Sequence, residues 1–279
     1  MAVRAAAVQL NSNQDKQRNL ATADRLTRAA AADGAQLILL PEKWTALGTD
    51  DDYYRAAETL EDGEAVEWAR STARELGVDL VAGSIVERRE GRDKLGNTSI
   101  HFGPDGEQKA VYRKIHMFDV VVGGLEYRES ASEDPGEEIV ISETRDGVPL
   151  GMTVCYDLRF PELYRILAIR GARILLVPAA FTKITGQAHW EPLLRARAIE
   201  NQAFVIAADQ IGWHPPDKES FGGSMIVDPW GEVLARAPDK ETFIAADHDF
   251  ARQDEVRAQL PSLANRMPAT YAWPQEVSA

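Results

Sequence analysis

Cys155 is the only cysteine in a chain of 279 residues, and it sits in the stretch GMTVCYDLRFPEL, Gly151 to Leu163. An apolar, β-leaning segment precedes it (Pro149, Leu150, Met152, Val154). Pro161, Glu162 and Leu163 follow, then an apolar-periodic run to Gly171. That order reads as strand, sharp turn, helix. A thiol on such a turn lies near helical N–H groups, which favour a thiolate and any oxyanion formed beside it. A lone cysteine also fits a second reading, a small hydrophobe buried in a core. Glu42 follows the apolar run Leu37 to Leu40, and Lys114 closes the run AVYRK. Both therefore stand, like Cys155, at the carboxyl end of a strand, where sites gather in open α/β sheets. Brought together, the three make a hydrolase. The carboxylate takes the thiol proton and later activates water. The ammonium stabilises the tetrahedral oxyanion. The sulfur forms a thioester and so divides one hard step into two. Taken singly, a strand-end Glu or Lys is an ordinary exposed or ion-paired residue; the three equivalent places carry the reading.

The rest of the chain supplies elements to hold those places. Val3 to Leu10 reads as a strand, and Asn11 to Asn13 offer caps for a helix to Ala32 that stops at Gly34. Leu37 to Leu40 is a continuous apolar strand, of the kind covered on both faces. A loop from Lys43 to Tyr54, a helix from Glu64 to Leu76 and a strand from Val78 to Val86 come next. Thr98 to Phe102 and Gln108 to Arg113 flank Pro104–Asp105–Gly106, a hairpin signal. From Lys114 to Glu137 periodicity lapses, which predicts a long loop. The pattern then returns. A strand from Glu138 to Glu143, the strand to Cys155, a helix from Pro161 to Arg170 and an apolar strand from Ile174 to Val177 follow. Next come a helix from His189 to Asn201 and a strand from Phe204 to Ala208. A hairpin of Gly222 to Val227 with Glu232 to Arg236, a strand from Phe243 to Ala246 and a helix from Phe250 to Gln259 end the regular part. Beyond Pro261 the chain is irregular, and Tyr271 and Trp273 are expected to be packed away.

The two halves share the order strand, helix, strand, helix, strand, hairpin, with no linker between them. This predicts one α/β domain over residues 1–279 with an internal pseudo-repeat. Two mixed sheets face to face, with helices outside, bury all the strands. Hairpins after βαβ units argue against a pure eight-fold barrel. With 44% hydrophobic residues the chain can form a large core, and one cysteine excludes an intramolecular disulfide and fits a reducing compartment. A net charge of −13 argues against nucleic acid and anionic membrane surfaces as partners. No apolar run approaches the ~20 residues needed to span a bilayer, and a cytoplasmic location is the expectation.

The stretches LLPEKW, YRKIHMFD and VCYDLRFPEL resemble, in this order, the three motifs of the nitrilase superfamily, the carbon–nitrogen hydrolases. The resemblance runs from AAVQLNSNQDKQRNL to VDPWGEVLA. It implies a four-layer αββα sandwich with Glu42 as base, Lys114 as oxyanion stabiliser and Cys155 as nucleophile. It further implies that Glu129, in YRES, orients the lysine and the substrate, and that the Tyr156 backbone N–H completes the oxyanion hole with Lys114. Between Lys114 and Glu129 the chain reads VVVGGLEYRES where relatives often carry Pro–Gly, so the resemblance leaves the path from Val120 to Glu129 open. The run FTKITGQAHWEPLLRARAIENQAFVIAADQ resembles the branch of deaminated-glutathione amidases and ω-amidases. That likeness implies hydrolysis of a non-peptide carboxamide of a 2-oxo-acid or other carboxylate-bearing substrate, through a Cys thioester with release of ammonia. Arg159 is the first candidate for a substrate carboxylate, with Lys183 and Arg195 behind it; an ion pair between Arg159 and Glu162 is the competing reading. Phe181 and Thr182 join Arg159 as substrate-binding candidates. Family members commonly form homodimers or larger homo-oligomers, which is the expectation here.

Other readings stay open on sequence. A Cys–His hydrolase would use His116, two residues after Lys114. Metal hydrolysis lacks any HxxxH or CxxC spacing. No nucleotide cofactor is expected, because neither GxGxxG after a strand nor GxxxxGK[ST] occurs. A catalytically idle binding protein on the same fold, and an aliphatic-amide or N-carbamoyl hydrolase, are the alternatives in function. Pocket shape decides among substrates, and loop residues that shape a pocket cannot be placed from one sequence.

Overall fold

Strand alternation decides which side each residue of the first sheet faces. A computed structural model describes residues 2–271 of the chain. In β1 (Ala2–Gln9), Val3, Ala5 and Ala7 face one buried cluster while Ala6 and Val8 face another. After α1 (Lys16–Ala32), β2 (Leu37–Leu39) divides in the same way, Leu37 and Leu39 to one side and Ile38 to the other. The two strands are parallel, with Ala5, Ala6 and Ala7 opposite Leu37, Ile38 and Leu39, so the like-facing side chains align. The outward set packs on Leu20, Ala23 and Leu26 of α1. A short α2 (Asp50–Ala56) precedes α3 (Glu64–Leu76), which adds Val66, Ala69 and Ala73 to the same outer layer.

The first half continues through β3 (Asp79–Val81), β4 (Ile85–Glu87), β5 (Gly96–Phe102) and β6 (Gln108–Arg113). A separate hairpin, β7 (Asp119–Val122) with β8 (Leu125–Arg128), comes next. The second half runs β9 (Ile141–Glu143), β10 (Pro149–Met152), α4 (Pro161–Ile169), β11 (Ile174–Ala179), α5 (Lys183–Asn201) and β12 (Phe204–Asp209). It closes with the hairpin β13 (Ile211–His214) and β14 (Lys218–Phe221), then β15 (Met225–Val227), β16 (Val233–Arg236), β17 (Thr242–Asp249) and α6 (Phe250–Gln259).

Sheet one has the order β17–β1–β2–β3–β5–β4, with β6 also on β5; sheet two has the order β16–β15–β12–β11–β10–β9. In each, parallel strands are followed by antiparallel ones: β1, β2 and β3 in the first, β10, β11 and β12 in the second. This is the internal repeat the sequence predicts. Ala5, Ala7, Leu37 and Leu39 of sheet one share a core with Leu150, Leu175, Ile206 and Met225 of sheet two. Leu163 and Leu167 of α4 and Trp190 and Leu194 of α5 belong to that core as well. The result is the expected four-layer αββα arrangement. Among the described residues no helix is long and apolar enough to cross a membrane.

Several expected boundaries change, each for a local reason. The strand expected over Val78 to Val86 is broken into β3 and β4 around Gly83. There φ is +48°, and a Cβ would stand 2.0 Å from the Pro41 carbonyl oxygen, so only glycine fits. The long loop expected after Lys114 contains β7 and β8, joined by Gly123 and Gly124 at positive φ, and a 3-10 turn at Glu129–Ala131. The loop expected over Lys43 to Tyr54 carries the start of α2, capped by Thr49. Helix α5 starts at Lys183 and not His189, because its first buried residue is Gly186. A Cβ on Gly186 would lie 2.3 Å from the Phe221 side chain, so the contact with β14 needs a residue that carries no apolar signal. Helix α1 is capped by the Asp15 side chain on the Arg18 N–H. Tyr271 is 62% exposed within this chain, and Trp273 lies outside the described residues.

Candidate active site

The chain leaves β2 by a sharp elbow. Lys43 takes a left-handed conformation, φ +46°, and its N–H bonds the Ser84 hydroxyl at 3.0 Å. The gap between β3 and β4 therefore grips the elbow from one side. Sheet two grips it from the other: the Ala180 N–H donates to Glu42 Oε2 at 2.9 Å, and Gln210 donates to the Glu42 carbonyl at 3.0 Å. Glu42 is buried, and its second oxygen, Oε1, accepts from Asn97 at 2.8 Å and from Lys114 Nζ at 3.1 Å.

Lys114 directly follows β6 and its ammonium bridges two carboxylates, Glu42 and, at 2.6 Å, Glu129 Oε2. Burial opposes its charge, but Glu129 and then Glu42 more than offset that and raise its pKa. Glu129 also accepts from the Phe118 N–H at 2.8 Å. Its burial favours the acid form, yet Lys114 and then Lys43 hold its pKa below the usual carboxylate range. Lys43 reaches Glu129 Oε1 at 3.1 Å and Glu133 Oε1 at 2.5 Å. The row Glu42, Lys114, Glu129, Lys43, Glu133 thus alternates in sign through a buried region. Burial, with Glu129 adding to it, pushes the Glu133 carboxyl up to about 7 although Lys43 pulls it down.

With its folded pKa raised above the ordinary 4.5 of a glutamate, Glu133 contributes stability that is fully present below about pH 4.5 and lost as pH rises through about 7. Glu133→Gln removes that dependence. Urea unfolding of both proteins between about pH 5 and pH 8 is expected to show the wild type losing stability relative to the variant as pH rises. A gap that does not change with pH would contradict it.

Cys155 follows β10 and opens a 3-10 turn, Cys155–Arg159, with its own φ at +48°. A non-glycine residue there is strained, a device common at reactive positions. Asp157 holds the turn: its Oδ2 accepts from the Val154 N–H at 2.8 Å and from Tyr112 Oη at 2.6 Å, and its Oδ1 from the His116 N–H at 3.2 Å. Burial and then the adjacent Glu42 charge push the Cys155 thiol well up, while Lys114 pulls the other way. The sulfur therefore rests as a neutral thiol beside the Glu42 side chain.

These residues line one cleft of about 430 Å³. Glu42, Lys114, Glu129 and Cys155 all reach it, as do Tyr156, Arg159, Phe181 and Thr182. The Tyr156 ring packs edge-on against Phe118 and Phe160. Arg159 is not paired with Glu162; its guanidinium lies 3.1 Å from His189 Nδ1 and stacks 5.1 Å above the Phe181 ring. Lys183 instead meets Glu219 at 3.4 Å, and Arg195 donates to the Gly231 carbonyl at 2.8 Å. His116 does not line the cleft: its Nδ1 is 2.7 Å from Asp157, and its ring stacks on Phe160. The geometry thus sets it against the turn, away from the role a Cys–His hydrolase requires. Sequence reasoning missed Lys43, Asn97, Glu133 and Asp157. The juxtaposition of Glu42 with Lys43 in PEKW was the one available signal, since a second charge beside a buried acid needs a partner of its own.

The carbon–nitrogen hydrolase family profile matches residues 4–258. The deaminated glutathione amidase of Yersinia enterocolitica is 41% identical over 261 residues, covering 92% of this chain and 91% of that one. The omega-amidase NIT2 of Xenopus tropicalis is 39% identical over 258 residues, 92% of either chain. Among solved structures, the C. elegans NitFhit protein superposes with a TM-score of 0.91 at 34% identity. That match takes in 97% of this chain and 66% of NitFhit, so this chain spans just under two thirds of that longer protein.

Proposed function

The chain belongs to the carbon–nitrogen hydrolase family and is a hydrolase of non-peptide C–N bonds, and from that premise we propose that it cleaves the carboxamide of a small carboxylate-bearing substrate through a Cys155 thioester. The observation that carries this reading is the bridge from Lys114 Nζ to Glu42 and Glu129, at 3.1 and 2.6 Å, in the cleft that Cys155 lines.

Each residue has a task its surroundings support. Glu42 accepts the thiol proton as sulfur attacks the amide carbon. Lys114 and the Tyr156 N–H stabilise the oxyanion. Glu42 passes the proton to the leaving nitrogen, and the C–N bond breaks to give the thioester. A primary carboxamide then releases ammonia, and a substituted one releases an amine. Water attacks the thioester with Glu42 again as base, and the carboxylate product leaves as the thiol regains its proton. Glu129, fixed by the Phe118 N–H, keeps the ammonium of Lys114 in place. Arg159, with Phe181 beneath it and Thr182 in the same cleft lining, binds the substrate carboxylate.

The test is product release from 2-oxoglutaramate, deaminated glutathione, an aliphatic amide and an N-carbamoyl compound, read as ammonia, amine or acid. Carboxylate-bearing amides are expected to be the best substrates by kcat/KM. Turnover of a nitrile alone would overturn the amidase reading, and preference for the uncharged amide would overturn the substrate class.

A further inference from the structure

We propose that Lys218 is a specificity residue, the counter-ion for a substrate carboxylate separate from the one Arg159 takes. The proposal rests on the amidase reading above and deepens it. Five cationic side chains line the cleft: Lys43, Lys114, Arg128, Arg159 and Lys218. Lys43 and Lys114 are engaged by Glu42, Glu129 and Glu133. Arg128 lies 3.6 Å from Glu126. Lys218 has only neutral partners. Its Nζ donates to the Gly48 carbonyl at 3.0 Å and to Tyr53 Oη at 3.2 Å, and sits 5.1 Å from the centre of the Tyr53 ring. Among the described residues no carboxylate lies within salt-bridge distance of Lys218. Its sequence neighbour Glu219 is turned to Lys183.

That arrangement has a physical cost. An ammonium has three donors, and here two are given to neutral acceptors. The charge is partly removed from water and, although Asp217 and Glu219 flank it in sequence and line the same cleft, neither carboxylate is within salt-bridge range of it, which is unfavourable unless something else supplies the partner. A carboxylate entering the cleft would be that partner, through a charge-assisted bond stronger than a neutral one.

The position is fixed as well as the charge. Lys218 pairs with His214 across the β13–β14 hairpin, and Ser220, two residues on and so on the same face, bridges to Thr182. Thr182 follows Phe181 and Ala180, the residue whose N–H holds Glu42. The bridge from the hairpin to Thr182, and the bond from the Ala180 N–H to the Glu42 side chain, therefore tie Lys218 to the catalytic base. Arg159 stands in the turn that begins with the nucleophile, whereas Lys218 stands one hairpin away. Two cations without a carboxylate in salt-bridge range among the described residues, carried by different segments of the cleft lining, suit an amide that carries two separate carboxylates.

The experiment uses two matched probes, the N-carboxymethyl and the N-propyl amides of 2-oxoglutarate. Their Kd values are measured on the full chain carrying Cys155→Ala, with Lys218, Lys218→Met or Lys218→Arg. The Met variant keeps the apolar stem and removes only the charge. We expect Lys218→Met to weaken the N-carboxymethyl probe by roughly 10- to 100-fold, to leave the N-propyl probe within about twofold, and Lys218→Arg to retain most of the affinity. Equal losses on both probes would make Lys218 structural, and no loss on the charged probe would also overturn the proposal. Turnover of the same probes by the protein with Cys155 intact tests the amidase reading separately, since binding to the Ala variant needs no chemistry.

Discussion

Cys155→Ala protein is expected to fold normally and to lose at least about 10³-fold in kcat, because it removes the atom that carries the acyl group in the proposed mechanism. Cys155→Ser is expected to fall almost as far. The cleft already holds the thiol well above its ordinary pKa, by burial first and by the Glu42 charge second. A hydroxyl in the same place is a far weaker acid than a thiol, so its deprotonation in the attack is much more costly. The residual rate would come from the oxyanion groups and binding alone, as it does when other acyl-transfer nucleophiles are removed. The measurement is single-turnover kinetics on 2-oxoglutaramate, with thermal unfolding as the control for folding. Position 155 has φ +48°, which a serine or alanine tolerates no worse than cysteine, so the melting temperature should shift by only a few degrees. Undiminished turnover by either variant would remove sulfur from the mechanism.

What could be read from the chain beforehand divides along a physical line. Glu42, Lys114 and Cys155 were legible because each stands at the end of a strand, and a strand end is a place that sequence periodicity can mark. Glu129 came only through resemblance, and the structure sets it against Lys114 at 2.6 Å. Lys43 and Glu133 were not legible, because what defines them is each other: ninety positions apart in sequence, they meet only once β7 and β8 have turned the chain back. Asp157 looked like part of a turn; its importance lies in donors from Tyr112 and His116 on another segment. The two βαβ halves were visible in periodicity, and the four layers follow from them. The β7–β8 hairpin lies where lapsed periodicity predicts a long loop, because its strands are too short to show alternation although Val120, Val121 and Val122 precede the turn residues Gly123–Gly124. The start of α5 was hidden because a glycine, not an apolar side chain, makes its first contact.

Asp157→Ala is expected to be the most damaging substitution outside the reacting groups, with a loss of roughly 3–5 kcal/mol in stability. The Asp157 side chain is fully buried, and the groups that surround it point hydrogens at it: the Val154 and His116 N–H groups and the Tyr112 hydroxyl. Alanine would leave all of these without an acceptor. Asparagine, similar in shape, is expected to help little, because its amide would turn a donor toward other donors. The consequence for activity follows from where those donors sit. Tyr112 and His116 stand two residues before and after Lys114, and Val154 immediately precedes Cys155. Asp157 therefore fixes the distance between Lys114 and Cys155, and its loss frees the two segments that carry them. A loss of that size should lower the melting temperature by roughly 6–20 °C and, at temperatures where the variant is still folded, lower kcat more than it raises KM. Tyr112→Phe gives the comparison, since it removes one donor and leaves the carboxylate with its N–H partners; its cost should be about 1 kcal/mol. If Asp157→Ala melted within a degree or two of the wild type and kept its kcat, the clamp would have no part in holding the thiol and the ammonium together.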